Sequence, residues 1–460
     1  MDLEEPRMSD YHELDRYQDI LGQLPMLQAY THIIYFFPML RDAAPEKIIH
    51  DLSEAITKVR KAVPWMGARI VNMGKGPGNS GAYLPVKCAL PEPAIDVQRL
   101  EDTSPEYAEF RRRKAPVSMI DTKTLTPVPG FPVVYEDSDQ LPAHAVRLQA
   151  NFIKGGVLVD FAIQHNVADA GGFNGFINMI AMLMRGETIP QGLLEVANMD
   201  RRNLVRLLQP DEPMLDHSRH KRPPLTAKAP LAPRETARYH VFRFTVTSMA
   251  RIKDLASQRE GFDPAVPFVS TDDAVCAFCW RHFTKARKGR YPPETSSRFG
   301  RQIDGRRLVG LPQTYMGAMA YNVTCSMTFG ELTSAPLSTI ASHMRKALNE
   351  ASSLYSMRSF VTFVAREPDK STITYAGPFD HRIDIGSSSV RSHTGLFPEF
   401  GSLGRPEFIR RPPSVPFAGT VVLWPGNPEG DCDAIACLTD TDFEALSADP
   451  EWKELVEYIG

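Results

Sequence analysis

Cysteine is scarce: six in 460 residues is too few for a disulfide framework, so a reducing compartment is expected. Long apolar runs are missing too, and no stretch approaches the roughly 18 residues a membrane-spanning helix needs. The opening MDLEEPRMSDYHELDRY is acidic and has no apolar h-region, so neither a secretory signal nor a basic transit peptide is expected. Neither sign of charge dominates. With 52 basic against 55 acidic residues there is no general electrostatic reason to bind nucleic acid or a membrane, and an anionic ligand would need a local basic patch. A cytoplasmic, monomeric enzyme is the expectation.

The length exceeds what one hydrophobic core usually organises and predicts two domains. Tyr30 to Phe37 reads as a strand, and Ala44 to Val63 carries an apolar stripe (Ile48, Leu52, Ile56, Val59) that reads as a helix covering a sheet. Residues 211–233 are rich in proline and basic side chains and read as a solvated crossover. The expected division is therefore 1–210, a crossover at 211–235, and 236–460, with about 380–410 packing back at the interface. In the second half Tyr239 to Val246 reads as a strand, with Ser248 capping the next helix. Ser270 and Asp273 form a capping-box start to a further helix. Ser338 to Tyr355 reads as a helix, Phe360 to Ala365 as a short strand, Thr420 to Trp424 and Cys432 to Leu438 as strands. Thr441 to Leu446 and Trp452 to Ile459 read as terminal helices. Strands and helices recur in both halves without a regular repeat, which favours two α/β domains.

Three motifs are set aside. The glycine-rich MGKGPGNSG from Met73 lacks the lysine-serine ending of a phosphate loop and reads as a hairpin or surface loop. His217 and His220 lie among Arg219, Lys221 and Arg222, and adjacent cations oppose a divalent metal. Cys276, Cys279 and His282 are three apart on one helix but have no fourth ligand, so they read as buried packing residues.

The stretch that concentrates chemistry is VRLQANFIKGGVLVDFAIQHNVADAGGFNGFINMIAMLMR, from Val146 to Arg185. Val157, Val159, Phe161, Ile163 and His165 share one face of a strand, and Phe173, Phe176, Ile177, Ile180 and Met184 recur at helical spacing. The turn between them sets His165 and Asp169 at a strand-to-helix junction. A neutral histidine there can take a proton from a hydroxyl, with Asp169 as its orienting group. Strand and helix capping by the two residues is the structural alternative.

His165, Asp169 and the pair Gly171 and Gly172 match the HxxxD-glycine signature of the BAHD-type acyl-CoA-dependent acyltransferases. The chain resembles that family, and within it the fungal trichothecene 3-O-acetyltransferases, through colinear segments along nearly its whole length. These are DILGQLPMLQAYTH from Asp19, LQANFIKGG from Leu148, STDDAVCAFCW from Ser270, GRPEFIRRP from Gly404 and the terminal DPEWKELVEYIG. The resemblance implies a chloramphenicol acetyltransferase-like α/β fold, with mixed sheets, flanking helices and a channel between two domains. It implies His165 as the base, acyl-CoA (acetyl-CoA) as co-substrate with no permanently bound cofactor, and a small hydroxylated acceptor, a fungal secondary metabolite. The segment QIDGRR resembles the family's approach to a central strand, and Arg306 within it is either the cation that neutralises Asp169 or a solvated surface charge.

One departure stands out. Where the family has DFGWG or a relaxed form after a Ser-Ser-Trp element, this chain reads SSSVRSHTGLFPEFGSLGRP from Ser387. Read without gaps, Ser389 stands for the tryptophan; read with a deletion, Glu399, Phe400 and Gly401 stand for DFG and support the fold. The degraded motif leaves two rival readings open: a CoA-independent cyclase or isomerase in the same chamber, or a catalytically silent binding protein. The sequence assigns no residue to CoA binding and no metal ligand.

Overall fold

The computed structural model describes residues 13–39, 44–88, 94–222, 236–393 and 395–460. In the first half the strands are β1 (Tyr30–Pro38), β2 (Ala68–Met73), β3 (Ala82–Lys87), β4 (Asp96–Arg99), β5 (Val146–Ile153) and β6 (Gly156–Gln164). The second half contributes β7 (Ala237–Phe244), β8 (Ser296–Asp304), β9 (Ala320–Thr328), β10 (Ile385–Ser389), β11 (Phe408–Arg410), β12 (Thr420–Pro425), β13 (Cys432–Thr439) and β14 (Glu457–Tyr458). They build a five-stranded sheet in the order β11-β1-β6-β5-β4, a seven-stranded sheet in the order β14-β7-β13-β12-β10-β8-β9, and the β2-β3 hairpin. Both large sheets are mixed: β4 runs parallel to β5, and β10 runs parallel to β8 and β12.

β6 is buried along its full length because both faces of its sheet are covered. One face packs on the Pro45–Ala62 helix, through Ile48, Leu52, Ile56 and Val59, and on the Ala170–Met184 helix. The other face is polar. His32 Nδ1 lies 2.7 Å from Asp160 Oδ2, and Gln149 and Asn151 donate to the carbonyls of Thr124 and Leu125 in the short Thr122–Leu125 helix.

The two halves are joined in three ways. β11 leaves the second half to pair with β1, with Ile34 opposite Arg410. Val241, Met316, Trp424 and Ile435 bury themselves in the same core as the first-half strands. Asp433, fully buried on β13, accepts from Arg243 at 2.7 and 2.9 Å and pairs with the buried Arg410 at 3.0 Å. Arg410 also donates to the carbonyls of Ala115, Ile409 and Lys114, so its charge is satisfied on every side.

Several local expectations are corrected. Phe360 to Ala365 lies within the Leu354–Arg366 helix, because a short apolar run has no periodicity that separates a buried strand from a buried helix. The helix expected from Ser338 to Tyr355 ends at Ala351, and Ser353 caps the next by accepting from the Ser356 amide. Thr245, three residues earlier than expected, caps the Val246–Ala256 helix. The last apolar segment splits into the Pro450–Leu455 helix and β14, which pairs with β7. In the described part of the crossover most side chains are exposed, as a solvated segment requires, but it is pinned at two points: His220 is 1% exposed and packs on Phe360, and Ser359 accepts a hydrogen bond from the Leu215 amide and meets His217 Nε2 at 2.9 Å. Residues 223–233 of that expectation lie outside the described residues. Among the described residues no helix is long and apolar enough to cross a membrane.

Asp433→Ala leaves two guanidinium groups facing each other without their common carboxylate. The expected loss is about 3–5 kcal/mol of folding stability, the usual cost of breaking a buried pair, read as a lower midpoint in urea unfolding.

Candidate active site

The pairing of β6 runs one residue past its end, as the His165 amide donates to the Ala29 carbonyl at 2.9 Å. The chain then turns through Asn166, Val167 and Ala168 and enters a helix at Asp169. The Asp169 carboxylate is the N-cap, with Oδ1 accepting from the amides of Gly171 at 3.0 Å and Gly172 at 3.2 Å. This satisfies two amides that a helix start leaves unpaired, and a negative charge there is favoured by the helix dipole. The glycines answer to packing. A Cβ on Gly172 would stand 1.9 Å from the Met316 carbonyl oxygen, and one on Gly171 would stand 3.0 Å from Arg306 Nη2.

Arg306 is the partner of Asp169. Its Nη1 and Nη2 donate to Oδ2 at 2.9 Å and Oδ1 at 2.6 Å, a two-pronged pair across the two halves of the chain. The remaining donors reach Tyr315 O, Gly317 O and Asp304 Oδ1, so all five N–H groups are used. The Met319 amide donates to Asp169 Oδ2 at 3.0 Å. Burial alone would push the Asp169 carboxyl up. The Arg306 charge and these hydrogen bonds outweigh it and hold Asp169 below the usual carboxylate value.

His165 Nδ1 lies 3.1 Å from the Ala168 carbonyl. A carbonyl only accepts, so Nδ1 carries the proton and Nε2 presents the lone pair. Asp169 is not the hydrogen-bond partner of the imidazole: its five donors are Gly171, Gly172, Met319 and the two Arg306 nitrogens. It acts on His165 through the turn whose carbonyl holds the ring. Burial lowers the His165 pKa; the ring's backbone hydrogen bonds and the Asp169 charge raise it less, and Arg411 lowers it further. The net shift is downward, so the ring is neutral at pH 7. His165 is partly exposed, and the Phe131 ring meets it edge-on at 6.4 Å.

The other expected residues lie elsewhere. Phe400 is fully buried against Tyr35, Phe37 and Phe161, Glu399 is exposed, and the Glu399 carbonyl accepts from Arg185. Gly401 adopts φ +53°, and a Cβ there would meet the Met184 carbonyl at 2.1 Å. These three brace the far end of the Ala170–Met184 helix, whose 15 residues span roughly 22 Å. Ser389 donates to Asp272 Oδ1 at 2.6 Å. His282 meets Asp449 at 2.7 Å, and among the described residues no group of His, Cys, Asp or Glu is arranged to hold a metal.

A second buried network lies under the turn, and reading the sequence by motif missed it. Asp19 accepts from the amides of Gly22 at 2.7 Å and Ala318 at 3.0 Å, and burial pushes its carboxyl up to about 6. Arg201, 3.7 Å from Asp19, donates to the Val167 carbonyl at 2.7 Å and lies over the Trp65 ring. Asn166 donates to the Gly22 carbonyl, and a Cβ on Gly22 would stand 2.0 Å from the Asn166 oxygen. The segment beginning at Asp19 carried the only signal, as part of the resemblance; nothing in its composition separates Asp19 from a surface acid.

Asp169→Asn keeps the cap acceptor but removes the charge facing Arg306, and Arg306→Ala removes the other partner. Each single change is expected to cost about 3–5 kcal/mol of stability. The double change should cost less than their sum by more than ~1 kcal/mol, measured in a double-mutant cycle by chemical denaturation.

The chain has known relatives along its whole length. The profile of the Transferase family matches residues 119–453, and that of the trichothecene 3-O-acetyltransferase-like N-terminal domain matches residues 29–183. The O-acetyltransferase epaC of Aspergillus niger is 52% identical, over 98% of each chain. The O-acyltransferase pigD of Monascus ruber is 44% identical, over 97% of this chain and 99% of its own. The crystal structure of TRI101 from F. sporotrichioides with coenzyme A and T-2 is similar with a TM-score of 0.88 and 28% identity, covering 96% of this chain and 99% of that one. A matching family profile, a shared two-domain fold and relatives along the whole length lead to one assignment: the chain belongs to the Transferase family and is an acyl-CoA-dependent O-acyltransferase.

Proposed function

We propose that His165 is the general base of acyl transfer from acyl-CoA, acetyl-CoA in the first instance, to a hydroxyl of a fungal secondary metabolite. The observation that carries this reading is the Nδ1–H bond to the Ala168 carbonyl, which fixes one tautomer and leaves Nε2 free to accept a proton. The acceptor hydroxyl gives its proton to Nε2 as its oxygen attacks the thioester carbonyl. The tetrahedral intermediate then expels the CoA thiolate, which takes the proton back from the imidazolium. No covalent enzyme intermediate is needed. Cys276, Cys279 and Cys432 are buried, and burial pushes their thiols well above the usual value, so they are poor nucleophiles.

The choice of substrates rests on likeness. TRI101 structures contain coenzyme A together with deoxynivalenol or T-2, and the Aspergillus niger relatives are named O-acetyltransferases. The division at residues 211–235, with a monomeric cytoplasmic enzyme, belongs to the same reading. The cyclase, isomerase and silent-binder alternatives drew only on the degraded second motif. Phe400 and Gly401 retain a structural role there, at the opposite end of the helix from His165.

Two measurements test the reading. His165→Ala should lower kcat by roughly 10²- to 10⁴-fold in a protein with an unchanged melting profile, because proton transfer is lost without emptying a core. Near-normal turnover would remove His165 as the base. The active form is the neutral ring and its pKa lies below the ordinary 6.5, so kcat/KM should rise with pH to a plateau on the alkaline side. It should fall with decreasing pH as the ring becomes protonated, with its half-point below pH 6.5; a half-point above 6.5 would contradict the burial of this imidazole.

A further inference from the structure

Arg410 and Arg411 are neighbours with opposite surroundings. Arg410 is enclosed by Asp433 and three carbonyls. Arg411, on the other side of the chain, has no carboxylate partner and no hydrogen bond among the described residues, although it is partly buried; the one titratable group that favours its charge is the Tyr239 phenol, whose hydroxyl donates to the Val415 carbonyl. Its guanidinium carbon lies over the Phe131 ring at 5.9 Å, and that same ring stands 6.4 Å from the His165 imidazole. The arrangement is fixed rather than incidental. Ser414 donates to the Gly130 carbonyl at 2.8 Å, the Phe131 amide donates to the Tyr30 carbonyl at 2.7 Å, and the His165 amide donates to Ala29. Three consecutive pieces of the site are thus tied to the start of β1. An interior cation without a counter-charge is costly, and such a group persists where a ligand supplies the missing charge.

We propose that Arg411 holds a negatively charged oxygen at the reacting centre. The proposal rests on the reading of His165 as base. The diphosphate of CoA is an unsuitable occupant, because the pantetheine arm keeps it far from the thioester, whereas Arg411 shares an aromatic neighbour with the base. Two oxygens have the right chemistry. When the acceptor oxygen bonds to the thioester carbon, the carbonyl π pair moves onto oxygen, and a guanidinium beside it stabilises that charge. Collapse re-forms the carbonyl and breaks the carbon–sulfur bond, with the electron pair leaving on sulfur and the proton supplied by His165. The other source is an acidic substituent of the acceptor, which Arg411 would hold while the hydroxyl faces Nε2. In either case the cation has a second effect on the base, since its charge helps keep His165 neutral.

The test compares the parent with Arg411→Gln, which keeps hydrogen-bonding capacity, and Arg411→Lys, which keeps charge. Each is assayed with acetyl-CoA in water alone, with benzyl alcohol, and with 4-(hydroxymethyl)benzoate, after thermal melting has shown that it is folded. For the thioester oxyanion, Arg411→Gln should lower kcat for hydrolysis and for both transfers alike, by roughly 10²- to 10³-fold, with the KM for acetyl-CoA unchanged and partial activity in Arg411→Lys. For an acidic acceptor group, hydrolysis should persist while the parent's preference for the carboxylate-bearing alcohol disappears. Rates within about twofold of the parent in all three assays overturn the proposal, as does an effect confined to the KM for acetyl-CoA. His165→Ala, run in parallel, separates the two readings: if it stays active the base assignment fails, whatever Arg411 does.

Discussion

The ion pair between Arg306 and Asp169 is the constraint on which the site depends. Neither group would be stable alone in its surroundings, since a buried charge without a partner is expensive, and each is fully engaged: five donors on Arg306, five contacts on Asp169. The pair also spans the molecule. Asp169 opens a helix of the first half, while Arg306 follows β8 in the second, so closing the pair and seating the two halves are one event. The Ala168 carbonyl that orients His165 sits one residue before this anchored cap, which lets the position of the imidazole be set by backbone rather than by a flexible carboxylate.

Several polar groups around the turn likewise spend their hydrogen bonds on backbone. Arg201 holds the Val167 carbonyl, Asn166 holds the Gly22 carbonyl, and Asp19 holds the loop at Ala318. Each fixes one peptide of the turn or of the loop packed on it. The glycines do the converse, by allowing peptides to approach where a Cβ would collide: Gly172 with Met316, Gly22 with Asn166. A turn clamped from both sides loses little further freedom when substrate arrives, which is the physical content of a preorganised site.

Much of this was legible in the sequence, for identifiable reasons. The strand-turn-helix around His165 follows from a change of apolar period from two to 3.6 residues, and the Ser270–Asp273 capping box from four residues of side-chain chemistry. Long-range partners were not legible from pattern. Arg306 stood equally as a surface charge until a distance of 2.6 Å placed it on Asp169, and Asp19, Arg201 and Arg411 have no local pattern at all. How Asp169 would orient the imidazole, by direct contact or through the turn, could not be judged from spacing, because the same spacing serves a helix cap. The helical state of Phe360 to Ala365 and the packing of the His217 and His220 rings on Phe363 and Phe360 escaped for one shared reason: burial against a neighbouring element is a property of the fold and not of the segment.

The pairing of β11 with β1 has a consequence for how the chain is made. β1 emerges early in synthesis, but the strand that covers its outer edge comes more than three hundred residues later, at Phe408 to Arg410. Until then the first sheet carries an unpaired edge of backbone donors and acceptors flanked by Ile34, Tyr35 and Phe36, the kind of edge that recruits strands from other molecules. The nascent protein therefore passes through a long interval in which the edge of its first sheet is open, and the burden of keeping it apart from other chains falls on the cell's holding chaperones until about the last eighth of the sequence arrives.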